Sequence, residues 1–240
     1  MYYVDSHCHI EDKAFNKVRD SLIKDDVKII TSGVGLGGIR RALKCYEKYN
    51  IYLTLGFHPA DAKAKDEVVE ECCKLIKENK DKILAVGEIG LDIKRENYER
   101  QREIFLKFQD LALEINKPIV VHARGFEEEI FKLSKTKTMF HCYSGDISLA
   151  KEIGESGNLI SISTLLLFSK HHEELVSKLD IDYLTTETDS PYLSPFKGEK
   201  NKPENVKLVV KKIAEIKEMD VEEVKDMVYK NTSKFFNRWL

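Results

Sequence analysis

The chain has 240 residues, of which 42% are hydrophobic and 33% are charged, so it can bury one sizeable core beneath a well-solvated surface. Its 39 basic and 41 acidic residues give a net charge of −2. This balance excludes a protein-wide positive field that would attract a long polyanion or an anionic membrane, so any nucleic acid must bind at a local site. No run approaches the roughly 18 apolar residues that span a bilayer, and no signal peptide is visible at the N-terminus.

The cysteines indicate a reducing compartment. Their number is odd, and two of them are adjacent, which argues against a disulfide framework in a chain of this size. We therefore expect free thiols, mostly buried, and a cytoplasmic location. The five are Cys8, Cys45, Cys72, Cys73 and Cys142.

Eight short β-rich runs recur along the chain. Most are continuous apolar segments rich in Val, Ile and Leu, which is typical of parallel strands covered by helices. The segments between them show helical periodicity, as in Asn97–Asn116 and Glu204–Lys217. The predicted strands are Tyr2–His9, Val27–Val34, Ile51–His58, Ile83–Gly90, Pro118–His122, Thr138–Cys142, Leu159–Ser163 and Tyr183–Asp189.

Eight strand–helix alternations at a spacing of about 30 residues predict a (β/α)8 TIM barrel of the α/β class. The alternative is a doubly wound open sheet, which usually carries about five to seven such strands. No linker or repeat divides the sequence, so we expect a single domain over residues 1–240. The last stretch, Val221–Leu240, is predicted to be an extra C-terminal helix anchored by Phe235, Phe236 and Trp239.

Five of the seven histidines fall at the C-terminal end of a predicted strand, where the loops of a barrel converge on its active site. The other two, His171 and His172, lie at a predicted helix start in a charged stretch and are interpreted as solvated surface. The five histidines at strand ends are His7, His9, His58, His122 and His141.

The first predicted strand ends in His7-Cys8-His9. Residues i and i+2 of a strand point to the same side, so both imidazoles can face the barrel lumen and form half of a metal site. Glu88 lies inside an otherwise apolar strand, where a carboxylate is costly to bury unless it is paired, hydrogen-bonded or bound to a cation. A buried salt bridge to Lys or Arg is the alternative interpretation of Glu88.

A second histidine pair and a second acid complete the predicted site. His122 and His141 each close a strand, and Asp189 ends the eighth strand, where Pro191 prevents the ladder from continuing. Glu187 shares the side of Asp189 and is interpreted as structural. The sequence thus predicts a metal site whose ligands are His7, His9, Glu88, His122, His141 and Asp189. This mixed shell suits Zn, Mn, Co or Fe, or Mg with added waters.

Six motifs, in order along nearly the whole chain, resemble the TatD-related deoxyribonuclease family. That family is a branch of the amidohydrolase-like barrels, and the resemblance implies a site for two divalent metal ions and 3′–5′ exonuclease or broader DNase activity. The motifs are Asp5-Ser6-His7-Cys8-His9, Gly56-Phe57-His58-Pro59, Gly87-Glu88-Ile89-Gly90-Leu91-Asp92, Val121-His122-Ala123-Arg124, His141-Cys142-Tyr143-Ser144-Gly145 and Glu187-Thr188-Asp189-Ser190-Pro191-Tyr192.

The resemblance also implies how the ligands divide between the two ions. His7, His9 and Asp189 would bind one ion, and His122 and His141 the other. Glu88 would bridge the two. The chain departs from the family pattern at Ile93, which replaces the aromatic residue usually found after Gly-Leu-Asp.

These residues support a hypothesis for the reaction. Two divalent ions roughly 4 Å apart would activate a water for in-line attack on the terminal phosphodiester of DNA, at single strands or 3′ ends. Glu88 and Asp189 are the catalytic candidates, and Asp189 would orient the water or accept its proton. His58 and Arg124 are candidates for holding the phosphate. For His58, orienting a loop through hydrogen bonds is an equal alternative.

Two other functions remain open at the level of sequence. The same ligands can hydrolyse an ester, which leaves an amidohydrolase-type esterase or a deacylase of misacylated transfer RNA. A non-catalytic nucleic-acid-binding barrel is the third alternative, although such a protein has no need for six converging ligands. Nothing indicates an obligate protein partner or a membrane.

Two further segments near the predicted mouth have both a binding and a neutral interpretation. Lys94, Arg95 and Arg100 form either a local basic rim or a solvated helix start. The glycine-rich segment Gly33–Gly38 either cradles a phosphate at the start of the following helix or is a flexible strand-to-helix turn, and we expect the turn.

Overall fold

Eight parallel strands form one sheet in the sequential order β1 to β8 in the computed structural model, which describes residues 1–240. Each strand pairs with the next along the chain, and helices lie between them, so the predicted (β/α)8 barrel is confirmed. The strands are β1 Tyr3–Cys8, β2 Val27–Val34, β3 Tyr52–Gly56, β4 Ile83–Gly90, β5 Ile119–His122, β6 Thr138–Phe140, β7 Leu159–Ile162 and β8 Leu184–Thr186.

The helices cover the outside of the sheet through apolar faces that join the main hydrophobic core. In α4, the buried positions include Ile104, Phe105, Phe108 and Leu111, the stripe that the helical periodicity predicts. The helices are α1 Arg19–Leu22, α2 Gly35–Lys48, α3 Asp66–Glu78, α4 Tyr98–Glu114, α5 Glu127–Leu133, α6 Ile147–Glu155, α7 Lys170–Lys178, α8 Val206–Lys217 and α9 Val221–Phe235. No helix is both long enough and apolar enough to cross a membrane.

Strand β8 is shorter than predicted. Residues Ile181–Tyr183 form a 3-10 turn before it, and the ladder ends at Thr186, so Asp189 lies three residues beyond the strand. The prediction that Asp189 ends the strand is wrong, because regular pairing with β7 stops at Thr186. The strand predictions for β2 and β4 have the observed bounds.

Individual hydrogen bonds, more than a regular ladder, join β8 to β1 and close the barrel. The hydroxyl of Thr186 donates to the carbonyl of Val4 at 2.7 Å, and the amide of Asp189 donates to the carbonyl of His7 at 3.0 Å. The buried carboxylate of Asp5 accepts from the amide of Thr188 at 2.8 Å and from its hydroxyl at 2.6 Å. This seam fixes Asp189 beside the end of β1.

The C-terminal segment closes the opposite end of the barrel. Phe235 and Phe236, 7% and 6% exposed, pack in a separate core cluster with strand residues such as Val4, Ile30 and Val120. Helix α9 ends at Phe235, and Trp239 is 72% exposed with its ring 6.0 Å from that of Tyr229. The extra helix was predicted correctly, but Trp239 is not an anchor, because its ring lies on the surface.

Candidate metal centre

All the predicted site residues meet at the C-terminal mouth of the barrel. His7 and Glu88 lie within β1 and β4, and His122 is the last residue of β5. The others follow their strands by one to three residues, where the chain turns over the mouth. They are His9, His58, His141 and Asp189.

Glu88 lies at the centre of the group and is 3% exposed. Its Oε1 is 3.0 Å from Nδ1 of His122 and 3.0 Å from Nε2 of His141. Its Oε2 is 3.5 Å from Nε2 of His7 and 3.8 Å from Nε2 of His9. Because each oxygen faces a different histidine pair, this carboxylate has the geometry of a bridging ligand.

Asp189 approaches from the loop after β8. Its Oδ1 is 3.5 Å from Nε2 of His9 and 3.7 Å from Nε2 of His7. The backbone of Asp189 has a φ of 54°, in the left-handed region, where the chain turns away from the strand. The acid thus shares the side of the site formed by β1.

The donors form three overlapping triads, each with its ligand atoms within 4.8 Å of one another. The triads are His7, His9 and Glu88; His7, His141 and Asp189; and His58, Glu88 and His122. This grouping differs from the division that the resemblance implies, because His141 groups with His7 and Asp189. His58, predicted to contact phosphate, has its Nε2 3.3 Å from Oε1 of Glu88 and therefore lies among the donors.

The site has the properties of a cation site. Neither ring nitrogen of His7 has a hydrogen-bond partner, although the side chain is buried. An unpartnered buried polar atom is costly, and a divalent cation would satisfy Nε2 of His7, the nitrogen that faces Glu88 and Asp189. Two carboxylates and four imidazoles are donors that Zn, Mn or Co accept. These residues fit a metal centre.

The ionisation states give the site two anionic carboxylates and a neutral imidazole. Burial opposes charge on Glu88, yet the imidazoles of His58 and His141 hold its pKa well below the usual value. Asp189 also has a lowered pKa, because contacts with His9 and His141 outweigh its burial. Both acids are therefore ionised at neutral pH. Burial and the neighbouring His141 lower the pKa of His7, which keeps that imidazole neutral and able to bind a metal.

A second set of groups holds the imidazoles from behind. Nε2 of His122 is 3.1 Å from Oδ2 of Asp92, and Nδ1 of His141 is 3.3 Å from Oε1 of Glu187. Nδ1 of His9 is 2.8 Å from the carbonyl oxygen of Ser32. Such partners fix the ring orientation and tautomer of a metal-binding histidine.

Sequence reasoning missed one of these groups and underused another. Asp92 is 1% exposed, and the sequence identifies it only as part of a motif, although a carboxylate four residues after Glu88 could also reach the site. Glu187, interpreted as structural, is fully buried and lies two residues before Asp189. The i, i+2 rule places Glu187 on the same side of the strand as Asp189, but the rule does not identify His141 as the imidazole that Glu187 contacts.

Gly90 allows β4 and β5 to approach closely at the site. Its φ is +144°, and a Cβ added there would lie 1.9 Å from the carbonyl oxygen of His122. Only glycine fits both the backbone conformation and the space. The close approach sets Glu88 against His122.

Arg124, the predicted phosphate contact, lies at the mouth, but the predicted basic rim lies there only in part. Arg124 borders the same pocket as the metal ligands, with Nη1 3.5 Å from Oδ2 of Asp92. Arg95 borders it as well. Arg100 does not, because it pairs with Asp66 and Glu103 on the outer surface, so it forms no part of a rim.

His172 is a correction to the sequence analysis. It is 5% exposed, with Nε2 3.2 Å from the hydroxyl of Ser144 and Nδ1 2.8 Å from the hydroxyl of Ser169. The surface interpretation was wrong, because the first turn of α7 packs against the loop that carries Ser144. His171 is exposed, as predicted.

A parallel eight-stranded barrel with this cluster of histidines and acids at its mouth defines a metal-dependent hydrolase. The family model described as TatD related DNase matches residues 4–237. The chain therefore belongs to the TatD-related DNase family.

Similar proteins agree with this assignment. An uncharacterized metal-dependent hydrolase of Methanocaldococcus jannaschii is 67% identical, with 99% of this chain and 98% of that protein covered. The human deoxyribonuclease TATDN3 is 28% identical, with 97% and 94% covered. The crystal structure of YJJV, a TatD homologue from Escherichia coli, has a TM-score of 0.90 at 26% identity and covers 98% of each chain.

Proposed function

We propose that this protein is a deoxyribonuclease that removes nucleotides from the 3′ end of DNA with two divalent metal ions. The observation that carries the proposal is the position of Glu88, whose two oxygens face two separate histidine pairs. Membership of the TatD-related DNase family supports it, as does the deoxyribonuclease name of the human relative.

Under this proposal, His7, His9 and Asp189 would hold one ion, His122 and His141 would hold the other, and Glu88 would contribute to both. When bound, two such ions would neutralise phosphate charge and activate a water. The structure also leaves His58 close enough to Glu88 to join the second group.

The remaining steps belong to side chains of the chain itself. Asp189, with a lowered pKa, is ionised and can accept a proton from the attacking water or orient it. Arg124 has a half-exposed guanidinium at the pocket, which can hold a phosphate oxygen through its planar fork. Asp92 holds His122 in place and, through the same oxygen, lies near Arg124.

The test is digestion of a 5′-labelled single-stranded DNA oligonucleotide by chelator-stripped protein, with Mg, Mn, Co or Zn restored in turn. We expect a metal-dependent ladder that shortens from the 3′ end. Asp189→Asn should abolish the ladder, whereas Asp61→Asn should not, because Asp61 borders the pocket but lies outside the three donor triads.

Two results would count against the proposal. Cleavage that persists in Asp189→Asn would remove the acid from the mechanism. Protein that binds metal but leaves DNA intact with every ion would refute the deoxyribonuclease. Turnover of an aminoacyl ester by the same protein would then identify a deacylase.

A further inference from the structure

Arg41 is an arginine on α2 whose side chain borders the pocket of the metal centre. It forms no salt bridge and no side-chain hydrogen bond, and its Nε is buried without a partner. The acids that border the same pocket, including Asp12 and Asp61, make no ion pair with it. A buried donor with no acceptor costs folding free energy, and an anion bound in the pocket would supply the missing acceptor for the guanidinium.

The glycines at the start of α2 make room for this side chain. Helical side chains lean toward the N-terminus of their helix, and α2 begins at the barrel mouth, directly after β2. A Cβ added at Gly37 would lie 3.2 Å from Nη1 of Arg41, so a larger residue there would crowd the guanidinium. Gly37 thus leaves space beside the guanidinium of Arg41 at the first turn of the helix.

The neighbouring residue shows what an ordinary surface arginine looks like on this helix. Arg40 is exposed and pairs with Glu71 of α3, 2.5 Å away. It does not border the pocket. The two arginines lie on the same helix, but the side chain of Arg41 borders the pocket and has no ion-pair partner, whereas that of Arg40 points away from it and is paired.

We propose that Arg41 binds a second backbone phosphate of the nucleic acid strand, apart from the phosphate that is cleaved. This inference rests on the proposed deoxyribonuclease function and specifies its substrate as a strand with at least two phosphates. Arg124 follows β5 and Arg41 lies on the helix after β2, three strands away around the mouth. A strand whose scissile phosphate is held near Arg124 therefore has a cationic contact on the other wall of the pocket.

The experiment compares Arg41→Gln with the matched control Arg40→Gln in metal-loaded protein. The binding probe is a fluorescein-labelled six-residue phosphorothioate oligothymidylate, which keeps the backbone charge but resists cleavage. Anisotropy gives its Kd across a range of salt concentrations. Bis(p-nitrophenyl) phosphate, which has a single phosphate, reports hydrolysis at the metal centre alone.

For Arg41→Gln we expect probe binding to weaken on the order of 10-fold, the loss of one charged hydrogen-bonding contact. The slope of log Kd against log salt should fall by about 0.7, the value for one phosphate contact on a single strand. Hydrolysis of bis(p-nitrophenyl) phosphate should be unchanged. Arg40→Gln should match the wild type in all three, and Arg41→Lys, which keeps the charge, should keep the salt slope.

Equal salt slopes for Arg41→Gln and Arg40→Gln, from protein that cleaves DNA, would overturn the role of Arg41 and leave the deoxyribonuclease intact. A loss of bis(p-nitrophenyl) phosphate hydrolysis in Arg41→Gln would also overturn it, because the effect would then lie at the metal centre. A wild-type protein that does not bind the probe would overturn the inference together with the proposed function.

Discussion

At the scale of single residues, three of the four proposed histidine ligands have one nitrogen turned toward Glu88 or Asp189 and the other held by a fixed acceptor. Asp92 lies behind His122 and Glu187 behind His141, while a backbone carbonyl lies behind His9. His7 has no such partner. The orientation of the donors therefore depends on buried carboxylates outside the proposed ligand set.

We expect Asp92→Asn to lower the affinity for one of the two proposed ions by about 10- to 100-fold, the usual effect of losing a partner behind a metal-binding histidine. The amide cannot hold His122 as a carboxylate does. Competition with a chromogenic chelator measures the loss, and Asp61→Asn is the control. An affinity within twofold of the wild type would refute the role of Asp92.

His172 gives a prediction about stability and pH. Burial and the neighbouring His171 lower its pKa from 6.5 to about 4, so the folded state keeps this imidazole neutral. Below pH 6.5 the unfolded chain takes up a proton that the folded protein does not. The free energy of unfolding therefore falls as the pH drops from 6.5 to 4, and the titration of His172 contributes no pH dependence above 6.5.

Urea unfolding of metal-free protein at several pH values tests this contribution. His172→Gln should lose less stability than the wild type between pH 6.5 and 4. His171→Gln should retain most of the wild-type loss, because burial is the larger of the two causes of the lowered pKa. Parallel curves for the wild type and His172→Gln would show that His172 does not titrate as described.

The sequence predicted the residues that converge on the site but not all of their partners. Histidines at strand ends could be placed at the mouth for two reasons. Strand periodicity fixes the face of the sheet to which each side chain points, and barrel topology fixes the end of the barrel at which it lies. The contact of His122 with Asp92, or of His172 with Ser144, depends on loops that no periodicity governs. The local sequence pattern therefore predicted a surface position for His172, which tertiary packing buries.

At the scale of the elements, strands were predicted better in their cores than at their ends. The ladder of β8 ends at Thr186 because the following residues bond to β1 through single hydrogen bonds, as Asp5 does with Thr188. A sequence pattern does not show where regular strand pairing stops and single hydrogen bonds begin. The end of a helix is equally hard to predict, and Trp239 was wrongly predicted as an anchor because α9 ends before it.

Helix α9 and the residues after it close the end of the barrel opposite the site. We expect Phe236→Ala to lower the free energy of unfolding by about 3–5 kcal/mol, because it would leave a cavity in a buried cluster. Trp239→Ala removes an exposed ring and should cost less than about 0.5 kcal/mol. Urea denaturation measures both, and equal losses would contradict this assignment of buried and exposed aromatics.

At the scale of the whole molecule, a net charge of −2 provides no protein-wide field that would attract a polyanion. Arg41, Arg95 and Arg124 border the pocket at the mouth, among acids that favour a metal cation. Any positive potential that attracts phosphate is therefore local to the mouth, and metal ions bound to the histidines and carboxylates would increase it. Substrate binding is therefore expected to depend on metal loading.

The most direct measurement is the metal content of the wild-type protein and of Glu88→Gln after saturation and removal of free ions. Two ions per wild-type chain and one or fewer in Glu88→Gln are expected, because Glu88 faces both histidine pairs. Glu127→Gln, which changes another acid of the same pocket, should keep two. Two ions retained in Glu88→Gln, or a single ion in the wild type, would contradict the two-ion centre.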